Sequence, residues 1–160
     1  MNPSSIRELT ASARALQKTK RQGSPEAFIL AWIAWEGMKL RILAVVQKKM
    51  GTKIKDTYSS HQEIRLWNQV KFEKQWKQVF GKNPSNMSGV AGKVFREMEK
   101  YKKYRDKLVH GKEFGNPVNV EKATLSILKI LEDQEWLKEI KFSVRNKTYN
   151  IYKIYERNRK

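Results

Sequence analysis

The sequence contains no cysteine and only two histidines among its 160 residues. The missing cysteines exclude disulfide bonds, thiolate catalysis, cysteine-ligated zinc and iron–sulfur clusters. Two histidines are too few for a histidine-rich metal site. Glycine and proline number only 8 and 4, so the chain is neither collagen-like nor dominated by linkers. We therefore expect a globular protein with no metal and no cofactor.

Long apolar segments are also missing. The longest apolar run, Ala27–Trp35, has nine residues and ends at Glu36, whereas a membrane-spanning helix needs about 20. The N-terminus lacks the basic-then-apolar pattern of a signal peptide. These features predict a cytoplasmic protein with no membrane partner.

Positive charge is what the sequence has in excess. It carries 34 lysines and arginines against 16 acidic residues, which gives a net charge of +18. Residues 1–50 hold 9 basic and 3 acidic residues, and residues 101–160 hold 15 and 8, so the excess is not confined to one tail. Such a charge attracts polyanions, above all RNA or DNA. An anionic membrane surface, an acidic partner and a purely solubilising charge are the alternatives.

Apolar residues recur at helical spacing through most of the chain. Ser5 and Glu8 form a capping-box pattern and predict a first helix that stops near Gly23. The sequence Ser24-Pro25-Glu26 resembles a new helix start. The helix that follows is apolar on nearly every side, which indicates burial, and Gly51 is a plausible end for it.

Three further helical regions follow the same reasoning. A capping box at Ser60 and Glu63 precedes one or two helices that run to about Phe80. A long helix is predicted from about Ser88 to near Gly111, and another from a cap at Asn119 to the region of 136–140. The fold prediction is an all-α bundle of about five to six helices.

The last twenty residues allow two interpretations. Ile140, Phe142 and Val144 alternate, and Arg145-Asn146-Lys147 could form a turn, which predicts a small C-terminal β-hairpin. The alternative is a short helix through Tyr149, Tyr152 and Tyr155. We expect one helical domain over residues 1–140 and a basic, aromatic extension over residues 141–160, packed on it or flexible.

Only one segment combines side chains suited to catalysis. The sequence lacks the phosphate-loop, dinucleotide-binding, metalloprotease and nucleophile-elbow motifs, and its acidic residues are scattered rather than clustered for two metals. In Tyr104–Gly111, Arg105 can clamp a phosphate and His110 can transfer protons near neutral pH. Asp106 could orient a neighbour. Five positions along a helix turn through about 140°, so the helix is expected to loosen or end around His110. The structural alternative is a histidine beside glycine that merely caps a helix.

The segment Arg-Asp-Lys-Leu-Val-His-Gly at 105–111 resembles the signature of the HEPN family, named for higher eukaryotes and prokaryotes nucleotide-binding. That signature is an arginine, a polar residue directly after it, and a histidine after four to six residues. Arg105, Asp106 and His110 match these positions. The apolar stretch 31–36, which ends in Glu36, is similar to the family's second helix, and Glu36 is carried over as an acidic residue that faces the site.

The resemblance implies a HEPN-like helical bundle and a metal-independent endoribonuclease that acts as a toxin, an antiviral effector or an RNA-processing enzyme. It implies a homodimer in which two Arg…His motifs face each other. It also allows a cognate antitoxin, such as a small nucleotidyltransferase. The lysines around the motif, with Lys100, would line the RNA cleft; the RNA-binding candidates are Lys102, Lys103, Lys107 and Lys112. A catalytically silent nucleic-acid- or partner-binding module and a basic DNA binder are the competing hypotheses.

Overall fold

The computed structural model describes residues 3–19, 23–51, 69–111 and 116–157. Within these residues the chain forms six α-helices and one two-stranded hairpin. In chain order they are α1 (Pro3–Thr19), α2 (Pro25–Met50), α3 (Gln69–Phe80), α4 (Gly89–Val109), α5 (Pro117–Glu132), β1 (Lys141–Val144), β2 (Lys147–Asn150) and α6 (Ile151–Arg157). Short 3₁₀ turns occupy Pro84–Asn86 and Glu135–Glu139. The predicted all-α class with a C-terminal hairpin is confirmed.

Helix α2 begins and ends where the sequence predicts. The Ser24 Oγ accepts the backbone N–H of Ala27 at 3.2 Å, which satisfies one of the free donors of the first turn. At the other end Gly51 has φ +80°, a left-handed conformation that glycine adopts at little cost. The Ser60 capping box and His61 lie outside the described residues.

Helix α5 begins earlier than predicted. The prediction of a cap at Asn119 is wrong, because Asn116 caps the helix and its side chain accepts the N–H of Val118 at 2.9 Å. Pro117 takes the first helical position, where its fixed φ fits the helix and its missing N–H has no partner to lose.

The described residues divide into two compact units. The first unit comprises Met1–Met38 and Arg96–Gln134. In it α1 packs along α5, where Arg14 forms a two-point ion pair with Glu132, the shorter N···O distance being 2.6 Å. Phe28 and Trp35 of α2 are almost completely buried. The first unit therefore has its own apolar core and a polar connection between its helices.

The second unit comprises Lys39–Phe95 and Glu135–Lys160, and an aromatic cluster forms its core. The fully buried Trp76 of α3 lies 4.3 Å from Phe80 and 4.9 Å from Phe95 between ring centroids. Phe95 in turn meets Trp136 edge-on at 5.8 Å. Edge-on and tilted contacts of this kind add stability beyond the burial of apolar area.

The C-terminal segment contains both of the predicted alternatives in succession. Strands β1 and β2 pair antiparallel through a turn at Arg145 and Asn146, whose φ values of 48° and 62° suit a two-residue hairpin. Helix α6 then follows directly. Ile151 is fully buried and its N–H donates to the Ile140 carbonyl at 3.0 Å, so this part of the extension packs into the second unit.

The tryptophans of the described residues are core residues. Trp32, Trp35 and Trp76 are each at least 95% buried, so these side chains belong to the core; Trp67 lies outside the described residues. None of the helices in the described ranges is long and apolar enough to span a membrane.

Candidate functional site

The motif lies at the C-terminal end of α4, where a glycine ends the helix. The N–H of His110 still donates to the Asp106 carbonyl at 3.1 Å, but the N–H of Gly111 donates to the Leu108 carbonyl at 3.1 Å, which tightens the last turn. Gly111 has φ +63°, a conformation that is costly for other residues. The prediction that the helix ends around His110 is confirmed.

The side chain of His110 is exposed at this helix end. Within the described residues its imidazole takes part in no hydrogen bond or ion pair. Neutral imidazole offers one donor and one acceptor, so it can give or take a proton near neutral pH.

Arg105 lies on α4 at the border between buried and exposed surface, with its side chain 34% exposed. Its Nη1 lies 2.9 Å from the Asp106 Oδ1, while its Nε is buried and has no hydrogen-bond partner in the described part of the chain. An ion pair this exposed contributes about 0–1 kcal/mol. A phosphate could therefore replace the Asp106 carboxylate on the guanidinium at little cost.

Contacts on the buried side of α4 hold the turns that precede the motif. Tyr104 meets Phe28 of α2 edge-on at 6.2 Å. Glu97 accepts hydrogen bonds from the Tyr101 hydroxyl at 2.9 Å and from the Ser126 hydroxyl of α5. These contacts hold α4 against α2 and α5 within the first unit, so the helix that carries the motif is fixed in place.

The pKa of Tyr101 is raised above its ordinary value of 10.0, mainly because the phenol is partly buried. The nearby Glu97 carboxylate raises this pKa further, while the hydrogen bond with Ser126 opposes the shift. The phenol therefore stays neutral and donates its proton to Glu97 across the physiological pH range. The sequence analysis missed this cluster, although Glu97 and Tyr101 lie four residues apart and so share a helix face.

Glu36 is half-buried on α2, outside the hydrogen-bond and ion-pair contacts that Arg105 and Asp106 make in the described ranges. Its assignment as a residue that orients the reacting groups stays a prediction. Arg105 and Asp106 lie in the last turns of α4 and His110 directly follows it. Because the N–H of His110 still donates to the Asp106 carbonyl, Arg105 and His110 lie about 140° apart around the helix axis.

The predicted RNA-binding lysines differ in exposure. Lys103 and Lys107 are exposed, and the Nζ of Lys103 lies 5.4 Å from the centre of the Tyr104 ring. Lys102 is only 31% exposed and pairs with Glu99 at 3.8 Å. Lys112 lies outside the described residues. Two of the four lysines are thus shown to present their charge to solvent beside the motif.

The chemistry available at this helix end is acid–base and cationic. Among the described residues no three carboxylate or histidine side chains cluster in a way that could hold a metal ion. A partly exposed arginine, an exposed imidazole and a carboxylate are suited to binding a phosphodiester and moving protons at its oxygens.

Comparisons with protein-family models, with curated proteins and with solved structures find no match to this chain.

Proposed function

We propose that this protein is a metal-independent endoribonuclease that works as a homodimer. The observation that carries the proposal is the presence of a partly exposed Arg105 and an exposed imidazole at His110 near the same helix end. The net charge of +18 supports RNA as the ligand because it attracts polyanions. The HEPN-like signature over residues 105–111 supports the reaction type.

The proposed reaction needs one base, one acid and one cation. A base removes the proton of the ribose 2′-hydroxyl, the 2′-oxygen attacks phosphorus, and the bond from phosphorus to the 5′-oxygen breaks as an acid protonates that oxygen. The products are a 2′,3′-cyclic phosphate and a 5′-hydroxyl. Arg105 holds the phosphate and stabilises its developing charge, and Asp106 and Glu36 orient the reacting groups.

A homodimer supplies the second proton-transfer group. One chain offers a single His110, whereas base and acid catalysis require two groups at one phosphate. A two-fold axis beside the end of α4 would bring two copies of the motif to the same substrate. Dilution provides the test: specific activity should fall as the protein is diluted below its dimer dissociation constant, and activity that stays constant in a monomer would contradict the shared site.

The reaction itself is tested with modified substrates. RNA cleavage should persist in a chelator and should leave 2′,3′-cyclic phosphate ends. A single 2′-deoxy substitution at the cleaved nucleotide should abolish cleavage there, and DNA should not be cut. Inhibition by the chelator, or cleavage of the 2′-deoxy substrate at an undiminished rate, would contradict the mechanism.

A binding module is the second candidate function. It is favoured by the exposed lysines on α4, which can bind a polyanion whether or not the motif is catalytic. In that case the protein binds nucleic acid or a partner protein without cutting RNA. The cellular setting proposed for the ribonuclease is the cytoplasm, with RNA as substrate and, for a toxin, a cognate antitoxin such as a small nucleotidyltransferase.

A further inference from the structure

The exposed face of α4 is almost entirely basic as it approaches the motif. Among the side chains described between positions 96 and 110, six are exposed, and only one of them is acidic. The six are Arg96, Glu99, Lys100, Lys103, Lys107 and His110. Arg96, Lys100, Lys103 and Lys107 are termed the cationic stripe below, and His110 lies at its end.

The spacing of the stripe makes it a line along the helix. Its members follow one another at intervals of four, three and four residues, and His110 comes three residues later. Side chains three and four residues apart share one face of a helix. The rise of 1.5 Å per residue places successive charges about 5 Å apart and makes the line from Arg96 to His110 about 21 Å long.

The acidic residues of the same helix segment are directed to other partners. Glu97 accepts hydrogen bonds from Tyr101 and Ser126. Glu99 pairs with Lys102, and Asp106 pairs with Arg105. The three carboxylates thus contact residues outside the cationic stripe, and the stripe's lysines keep a positive potential at the surface.

We propose that the cationic stripe binds the backbone of single-stranded RNA on one side of the phosphate at which His110 acts. This inference rests on the proposed function, since it extends the substrate of that site along α4. A single line of charges about 5 Å apart matches one phosphate backbone rather than the two of a duplex. A single strand also has the freedom to align its 2′-oxygen with the bond that breaks. The site then contacts several nucleotides on one side of the cleaved bond and few on the other.

The first test measures how RNA binding depends on salt. The variant Lys100→Gln/Lys103→Gln/Lys107→Gln is compared with Lys74→Gln/Lys77→Gln/Lys82→Gln, which removes three exposed lysines from the second unit. The probe is a single-stranded RNA with 2′-O-methyl groups, which cannot be cleaved. Each phosphate contact contributes about 0.7 to the slope of log affinity against log salt. The stripe variant should lose about 2 from this slope and about 100-fold in affinity at about 0.1 M salt, whereas the control should change little.

Several outcomes would overturn the inference. Equal losses in the two triple variants would show that binding follows net charge alone. Equal affinity for duplex DNA, or for vesicles of anionic lipid, with the same loss in the stripe variant would assign the stripe to another ligand. Unfolding curves of both variants establish that the exposed substitutions leave the fold intact.

The second test uses cleavage and separates this inference from the proposed function. Substrates extended on the 5′ side or on the 3′ side of the cleaved bond are compared by kcat/KM. Extension on one side only should raise kcat/KM, and the stripe variant should lose that gain; equal gains on both sides would contradict the directional stripe. Cleavage with no effect of the stripe variant would remove the stripe and keep the ribonuclease. If the protein does not cleave RNA but the stripe variant still shows a weaker salt dependence of RNA binding, the stripe is kept and the ribonuclease is removed.

Discussion

Two regions of the molecule have similar composition and different structure. The hairpin region of the second unit and the end of α4 in the first unit both combine tyrosines with lysines. In the hairpin region Lys49 and Lys138 lie over the rings of Tyr149 and Tyr152, each at 4.9 Å from the ring centre, and Tyr149 also stacks on Phe142 at 5.5 Å. The aromatic faces there are already occupied within the protein.

The end of α4 distributes the same residue types differently. Tyr101 and Tyr104 point toward the core side, where they contact Glu97 and Phe28, while Lys100, Lys103 and Lys107 are exposed on the other face. A basic, aromatic composition therefore does not by itself identify a nucleic-acid-binding surface. The lysines of both regions are exposed, and Lys103 also lies over the Tyr104 ring at 5.4 Å. What distinguishes the end of α4 is that its exposed lysines follow one another along a single face of the helix.

The largest effect is expected from the aromatic core of the second unit. Trp76→Ala should lower the free energy of unfolding by about 3–5 kcal/mol, because it removes a fully buried ring and leaves a cavity. Urea unfolding provides the measurement. A loss of unfolding free energy below about 1 kcal/mol would contradict the assignment of this aromatic cluster as the core of the second unit.

Two glycines with the same left-handed backbone conformation end a helix in each of the two units. Gly111 after α4 and Gly81 after α3 have φ of +63° and +76°, and an added Cβ at either position would meet no atom of the described residues within 4 Å. Gly111→Ala and Gly81→Ala should therefore each cost about 1 kcal/mol through backbone strain alone. Only Gly111→Ala should also reduce RNA cleavage, because only this turn carries His110. Equal effects on cleavage would contradict a site confined to the end of α4.

A smaller effect is expected from the lysines that lie over the tyrosines. Lys49→Gln and Lys138→Gln should each lower the stability by about 0.5–1 kcal/mol, since each removes a cation over an aromatic ring near the surface. RNA affinity should stay nearly the same in both variants. If the RNA affinity falls as much as in the stripe variant while the stability is unchanged, these lysines bind RNA and the assignment of RNA binding to α4 is contradicted.

The smallest effect concerns Tyr101 and appears only at high pH. Its pKa is raised in the folded protein, so the unfolded chain loses the phenolic proton first. The stability that the neutral phenol contributes is complete below a pH of about 10 and is lost as the pH rises through the folded-state pKa. Tyr101→Phe should remove this part of the pH dependence. Melting temperatures of both proteins across the alkaline range provide the measurement, and parallel curves would contradict the assignment.

Much of the fold follows from local sequence rules. Ser24 and Gly51 bound α2 as predicted because cap side chains and left-handed glycines act within a few residues. Asn116 was missed in favour of Asn119 because Pro117 can either break a helix or open one, and the local sequence does not decide between these roles. The order of hairpin and helix at the C-terminus depends on the burial of Ile151 in the second unit, which is a tertiary contact.

The sequence locates the candidate site but does not identify all of the residues around it. Arg105, Asp106 and His110 lie close together in the chain, so one helix end necessarily holds them. Glu36 and the Glu97–Ser126 contact involve residues far apart in the sequence, and a periodic pattern does not predict such pairs. The face of each lysine depends on which side of α4 is buried. For this reason Lys102 and Lys103 were predicted alike, although Lys102 pairs with Glu99 and Lys103 is exposed.

The most direct test of the account is single-turnover RNA cleavage by the wild-type protein and by His110→Ala. Because His110 is exposed and, within the described residues, forms no polar contact, its loss should leave the fold intact and most of the RNA affinity in place. The account predicts that cleavage falls by a factor of about 10²–10⁴. Cleavage at the wild-type rate in the purified, folded variant would contradict it.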